Sequence, residues 1–380
     1  MARPPPPILP KDKALWGGKL VFDLYLRRIR TWVGTHWVWA LLAGGALATA
    51  LVVGLVHTRR LSTPHPQLAD TRMQVVGFYE NQSPGDPHPG SLASLQRNAS
   101  RITTVSPLWF SVNPDGTVSD LGYDAAVVAF SHQHHIAVVP LVTNAAGSSS
   151  VLWLHSTRQA AARNIAQTVR NDHLDGVNLD FELLNPSSRD SLSRFVADLA
   201  HALHPMNKVL AVSVFPLVDI PWSVNGADDY AALAQSANYL VMMAYDHHYS
   251  GGPAGPVAPY GWVEANVDAA LRVVPANHLV LAIGMYGYDW INNGQSGPAA
   301  TVSDVQAKAL AQRYGASIQY LAADSQNMFT YQNGGIPHIV YFMGNRSAQA
   351  RLGLARQKHL AGVALWRLGD EDPAFWQGFP

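Results

Sequence analysis

The chain has 380 residues, 48% hydrophobic and only 14% charged, and its 26 Lys+Arg balance its 26 Asp+Glu. A formal charge of zero supplies no general attraction for nucleic acid or an anionic lipid surface, so neither is an expected electrostatic partner. With no cysteine, disulfides, thiolate metal sites and a cysteine nucleophile are excluded together, while the redox compartment stays open.

Residues 1–35 open on a proline run, Pro4 to Pro7, and carry Lys11, Lys13, Lys19, Arg27, Arg28 and Arg30, which reads as a basic tail. Residues 37–56, WVWALLAGGALATALVVGLV, hold no charged side chain. At 1.5 Å per residue such a run crosses about 30 Å of hydrocarbon. Trp32, Trp37 and Trp39 gather at one end, as aromatic side chains do at a membrane interface. The basic residues precede the run, so the tail is expected in the cytoplasm and everything beyond it outside. A cleaved signal peptide is the competing account. The length of the segment before the apolar run, and the lack of a small-x-small site before His57, favour an uncleaved single-pass anchor over 36–57.

Residues 58–72, with Pro64 and Pro66, read as a linker to a domain over 73–380. There the rhythm changes to short β-rich apolar runs, each followed by a helix-like stretch. The expected strands are 75–79, 102–110, 136–143, 176–182, 209–215, 239–245, 278–286 and 362–368, with helices such as 157–171 and 187–203 between them. Eight strands alternating with helices over roughly 300 residues predict an α/β fold, a (β/α)8 TIM barrel. The stretch 289–359 is too long for one helix. It predicts a small α+β insertion between strands 7 and 8, with a helix over 301–314 and a hairpin made of 328–331 and 338–343.

Asp175-Gly-Val-Asn-Leu-Asp-Phe-Glu182 is the stretch richest in chemistry. On a strand, alternation sends Asn178, Asp180 and Glu182 to one face and Val177, Leu179 and Phe181 to the other. The apolar set suits packing under the outer helices. The polar set is then expected inside the barrel, with Glu182 at the C-terminal end of the strand, where barrel enzymes keep their reacting groups. Repulsion and burial should raise the pKa of one of the two carboxyls and leave Glu182 a protonated general acid. A strand-end acidic pair that merely caps the next helix is the bland alternative. Three inward polar groups in an otherwise apolar strand weigh against it, because burying them without a function is costly.

This stretch resembles the DxxDxDxE motif of glycoside hydrolase family 18. Met242-Met-Ala-Tyr-Asp246 is similar to that family's sixth-strand MxYD segment, Gly362-Val-Ala-Leu-Trp-Arg-Leu-Gly369 to its last strand, and Gly77-Phe-Tyr79 to its first. The matches fall in order over 73–380. Residues 243–247, 255–259 and Tyr288-Asp-Trp290 look closest to the bacterial branch with spore-cortex and cell-wall N-acetylglucosaminidases.

The resemblance implies substrate-assisted, retaining hydrolysis of an N-acetylated amino-sugar polysaccharide, an exception to the two-carboxylate scheme. Glu182 would protonate the glycosidic oxygen, Asp180 would orient the acetamide that attacks, and Tyr245 would bond its oxygen. Trp366 would stack under the sugar and Asp246 would bond sugar hydroxyls. Met243, Asn178 and Tyr79 complete the expected substrate-binding set, although ordinary core packing is the stronger reading for Tyr79. Peptidoglycan is the favoured polymer. Chitin-like chains, poly-N-acetylglucosamine and a non-catalytic sugar-binding barrel are the alternatives.

Two departures stand out. The motif's middle aspartate is Asn178, which can hydrogen-bond Asp180 but not share a proton with it, so Asp180 is expected to ionise more readily. The hairpin segment 338–344 lacks the acidic residues that relatives often carry near its end. No cofactor and no metal is expected: the sixteen histidines show no HExxH or comparable spacing. No Gly-x-Ser-x-Gly elbow and no phosphate loop is present either.

Overall fold

Eight parallel strands close into a ring in the computed structural model, which describes residues 73–82 and 90–379. The strands are β1 (Gln74–Tyr79), β2 (Thr104–Val112), β5 (Leu141–Asn144), β6 (Gly176–Asp180), β7 (Val209–Val214), β8 (Tyr239–Met243), β9 (Leu279–Gly284) and β15 (Gly362–Trp366). Each pairs in parallel with the next, and β1 pairs with both β15 and β2, which shuts the ring. Two short strands, β3 (Val118–Asp120) and β4 (Ala137–Val138), flank β2. The anchor expected over 36–57 lies outside the described residues. No helix among those described is long and apolar enough to cross a membrane.

All eight expected barrel strands are present, with ends shifted by at most two residues. The largest change falls on the third. Pro140 has no N–H to give a ladder, so the single run expected over 136–143 divides into β4 and β5 around it. The helices follow the same economy. In α4 (Arg189–Leu203) the buried residues Leu192, Phe195, Val196, Leu199 and Leu203 recur at three- and four-residue spacing and pack on the barrel wall. Phe195 meets Phe181, just past β6, with ring centroids 5.5 Å apart. Fully burying one such apolar side chain stabilises the fold by about 1.5–3 kcal/mol.

Strand alternation divides the wall into two cores. Outward residues such as Val177, Leu179, Leu240 and Leu365 join the large cluster beneath the helices. Inward residues Val76, Phe78, Leu141, Ala211, Tyr239, Val241, Val280, Ala282 and Ala364 fill the bore. The register carries one layer across the ring, Leu141 opposite Asn178 and Asn178 opposite Ala211.

Between β9 and β15 the chain builds the expected lobe, larger than the sequence suggested. A five-stranded antiparallel sheet runs in the order β11 (Ala299–Ser303), β10 (Tyr286–Ile291), β14 (Ile336–Phe342), β13 (Gln326–Asn333), β12 (Gln319–Leu321). The expected hairpin is β13–β14, turning at Gly334 and Gly335. Both have positive φ, 57° and 82°, which a tight two-residue hairpin turn requires. The expected helix is α8 (Asp304–Arg313); its first residues instead form β11, because Ser303 and Gln306 make a reciprocal capping box that starts the helix there. β10 escaped detection since only Met285 separates it from β9, so 279–291 reads as one apolar run.

Candidate active site

The site is built at the C-terminal ends of β6, β8 and β15, where each last inward residue meets the chain that leaves the strand. On β6, Asn178 and Asp180 face the bore and are 1% and 8% exposed. Glu182 lies two residues past the strand and keeps some exposure at the mouth. Leu183 follows with φ 53°, turning the chain away toward α4. Asn144, the last residue of β5, holds Glu182 from the side: its Oδ1 accepts from the Glu182 N–H and its Nδ2 donates to the Glu182 carbonyl, each at 3.0 Å.

β8 stops at Met243, earlier than expected, and a bend delivers Tyr245 and Asp246 to the mouth, with Asp246 at φ 60°. Met243 is buried on the inward face of β8. Asp246 Oδ1 accepts from the Tyr286 hydroxyl at 2.5 Å and the Tyr288 hydroxyl at 3.0 Å. The lobe therefore reaches the site through alternate residues of β10. Gly284, at the end of β9, makes room for this arrangement: a Cβ there would stand 2.7 Å from the Tyr286 ring and 3.2 Å from Tyr245 Cβ. Trp366 ends β15, partly exposed, with its indole edge-on to Phe78 at 5.2 Å.

Electrostatics bind these residues into one group. Burial pushes the Glu182 carboxyl well above the ordinary carboxylate range, and Asp180, Asp246 and Asp228 push it further. Asp180 rises to about 6 through burial, with Ser213 offsetting part of the rise. Asp246 also rises to about 6 by burial, against the two tyrosine hydroxyls that bond it. Tyr245 is raised well above its usual value by burial and by the charges of Asp180, Glu182 and Asp246, so it stays a neutral donor. Glu182, with its carboxyl raised above the ordinary range, Asp180 and the Tyr245 phenol thus form one interacting group at the mouth where Trp366 ends β15. Such a set can protonate a leaving oxygen while holding a polar amide beside it.

Two expectations need correction. Tyr79 does not line the bore: alternation on β1 turns Val76 and Phe78 inward, while Tyr79, 4% exposed, packs in the outer core against Trp109. There burial and then Asp124, the cap of the helix Ala125–Gln133, push its hydroxyl up to about 12. Nor does Asn178 bond Asp180. Its Oδ1 takes the Ser213 hydroxyl at 3.2 Å, while its Nδ2 and Asp180 Oδ1 have no hydrogen-bond partner among the described residues. Removing the motif's middle charge does not make Asp180 an ordinary carboxylate, because desolvation takes over.

Sequence reading missed Asn144, Ser213, Asp228 and the tyrosine pair Tyr286 and Tyr288. The spacing of those tyrosines on one strand face was a visible signal; the others come from β5, from β7 and from the loop after Asn225, and share no local pattern. Asp228 is buried, accepts from the Phe215 N–H at 2.8 Å and is raised to about 7, chiefly by burial. It also lines a cavity of about 490 Å³ with Arg189, Trp222 and Arg272, which lies outside the ring and not over the acids. The histidines are otherwise engaged: His247 with Asp219 at 2.9 Å and His132 with Asp175 at 2.8 Å. No group of three metal-ligating side chains occurs among the described residues.

A parallel eight-stranded barrel with buried carboxyls at its C-terminal mouth has the layout of a barrel enzyme. The chain belongs to the glycosyl hydrolases family 18, whose model matches residues 74–372, and is a glycoside hydrolase. It is 30% identical over 226 residues to a cortical fragment-lytic enzyme of Bacillus subtilis, covering 58% of this chain and 52% of that one. A cortical fragment-lytic enzyme of Bacillus anthracis is 26% identical over 288 residues, covering 73% and 67%. The chain thus spans about half to two thirds of the length of these curated relatives. In structure it resembles a chitinase from Chromobacterium violaceum, with TM-score 0.74 and 28% identity, over 80% of this chain and 97% of that one.

Proposed function

We propose that the protein hydrolyses β-1,4-linked N-acetylglucosaminyl bonds, with peptidoglycan as the polymer, by substrate-assisted retaining catalysis. The observation that carries this reading is the Glu182 carboxyl, raised well above the ordinary carboxylate range by burial and by Asp180, in one electrostatic group with Tyr245. Glu182 gives its proton to the glycosidic oxygen. The acetamido carbonyl of the same sugar attacks the anomeric carbon as the alcohol leaves, and an oxazolinium ion forms. Asp180 accepts the acetamide N–H and balances its developing charge, while Tyr245 donates to the acetamide oxygen. Water, losing a proton to Glu182, then attacks the anomeric carbon and restores both the acetamide and the acid. With the nucleophile inside the substrate, the attack is intramolecular and its effective concentration high. The requirement for a 2-acetamido group follows from the chemistry. Trp366 gives the sugar's C–H face an aromatic floor, and Met243, Asn178 and Asp246 line the rest of its surroundings.

The lytic activity in the relatives' names favours a wall polymer, and the likeness to a chitinase keeps chitin-like chains as the second reading. The run over 37–56 and the basic tail before it support a barrel tethered outside the cytoplasmic membrane, facing such a polymer.

The decisive experiment incubates the protein with peptidoglycan sacculi, chitin oligosaccharides and poly-N-acetylglucosamine beside Glu182→Gln. Reducing ends should appear with wild type and fall by about 10²–10⁴ in the variant, the usual worth of a general acid. The first product should be the β-anomer by NMR. Equal release by Glu182→Gln removes Glu182 from the mechanism, and an early α-anomer rules out retention.

A further inference from the structure

The hydrogen bonds around Glu182 point to a residue whose task is to place the acid. The β5–β6 ladder pairs Leu141 with Asn178, Val142 with Leu179 and Thr143 with Asp180. β6 then ends at Asp180, and two residues later Leu183 enters the left-handed region. A chain leaving a sheet through such a turn has nothing in the ladder to fix its next peptide groups. At Glu182 both the N–H and the carbonyl are nonetheless bonded, by the single side chain of Asn144 at 3.0 Å each. Asn144 is itself the last residue of β5, 7% exposed, with extended backbone at φ −87° and ψ 121°.

We infer that Asn144 is a positioning residue for the catalytic acid, its amide standing in for one further rung of the β5–β6 ladder. Few side chains can do this. The amide offers a donor and an acceptor in one plane, as a peptide group does. Aspartate at this position keeps the acceptor but loses the donor, and alanine loses both. Because the clasp grips the backbone of Glu182, it leaves the carboxyl free for the glycosidic oxygen while fixing where that carboxyl starts from. Displacing a reacting group by about 1 Å can cost 10²-fold in rate. The clasp thus converts a strand end into a rigid mount for the acid. This inference rests on Glu182 acting as the general acid.

The test separates placement of the acid from general damage by using two leaving groups. On an N-acetylglucosamine oligosaccharide, whose leaving alcohol needs a proton, Asn144→Ala should lower kcat by about 10–100-fold with KM within about twofold. On the 2,4-dinitrophenyl glycoside of N-acetylglucosamine, whose leaving group departs without a proton, the same variant should keep kcat/KM within about threefold of wild type, because kcat/KM reads bond cleavage and not the later attack of water that also uses Glu182. Asn144→Asp, of the same size and with one bond retained, should fall between the two on the oligosaccharide and serves where the alanine variant does not fold. Equal losses on both substrates, or no loss on the oligosaccharide, overturn the inference. Glu182→Gln run alongside keeps the two questions apart. If that variant is as active as wild type, the acid assignment itself has failed; if it is inactive while Asn144→Ala and Asn144→Asp match wild type, only the role of Asn144 has.

Discussion

Two groups of titratable side chains among the described residues, one in the inserted lobe and one at the barrel mouth, are bonded in opposite ways. In the inserted lobe Asp289 has both oxygens satisfied, by the Tyr331 hydroxyl at 2.6 Å and by His338 Nδ1 at 2.9 Å, and the His338 and Tyr331 rings stack at 4.6 Å. At the barrel mouth Asp180 Oδ1 and Asn178 Nδ2 have no partner among the described residues, and Glu182, Asp180, Asp246 and Asp228 all rise above ordinary carboxylates. A satisfied buried cluster adds to stability, whereas an unsatisfied one costs about 1–3 kcal/mol per group. The lobe cluster is built for the fold. The mouth cluster is maintained against it, which is the mark of groups kept ready for a ligand.

The sharpest way to break this contrast is Asp180→Asn. It should lower kcat on an N-acetylglucosamine oligosaccharide by about 10²–10³, the loss typical when one electrostatic stabiliser is removed. It should also make the protein more stable at pH 8. The Asp180 pKa is raised from 3.8 to about 6 on folding, so its contribution to stability is complete below the unfolded value and lost as pH rises through about 6. A neutral amide escapes that loss, worth at most about 3 kcal/mol, and the gain should vanish near pH 4. Unfolding midpoints by calorimetry at pH 4 and pH 8 decide it. A variant that is active but less stable at pH 8 would erase the distinction between the two clusters.

The mirror experiment is His338→Ala in the lobe. It strips Asp289 of one partner and should cost about 1–2 kcal/mol of stability in urea denaturation, with kcat within about twofold of wild type. A large loss of kcat instead would make the lobe cluster part of the site.

Asp228→Asn tests the outer edge of the mouth cluster. The acid mechanism requires Asp180 ionised and Glu182 protonated, so the pH–rate profile should fall below about 6 and again as Glu182 loses its proton at higher pH. Ionised Asp228 adds to the rise at Glu182 after burial, Asp180 and Asp246, so removing its charge should move only the alkaline limb, downward by a fraction of a pH unit. An unmoved alkaline limb, or one moved upward, would show that Asp228 and Glu182 do not interact.

Much of this arrangement is legible in one dimension, because a parallel barrel repeats two short-range signals. Period-two alternation located Asn178 and Asp180 on the inward face, and strand-end position located Glu182, Asp246 and Trp366 at the mouth. The same rule, applied to β1, would have turned Tyr79 outward and named Phe78 as the inward aromatic; motif likeness had overridden parity there. Asn144 ends its strand as a polar residue after Thr143, but nothing along the chain says that it will meet residue 182. Ser213 likewise enters the site only because β6 and β7 are neighbours, and Asp228 because its loop folds back onto Phe215 just past β7. β10 was hidden by the single residue that divides it from β9.

The order of strands, the inward polar set on β6 and the acid at its end were determined by the sequence alone, since each depends on backbone periodicity and on how few polar groups an apolar strand can bury. The partners of those groups were decided only by closure of the ring. Closure gave Asn178 to Ser213 rather than to Asp180, set Tyr286 and Tyr288 on Asp246, and placed the Asn144 amide against the peptide of Glu182. Hydrogen bonds and desolvation depend on contacts between residues tens of positions apart, and those distances do not exist until the first and last strands pair.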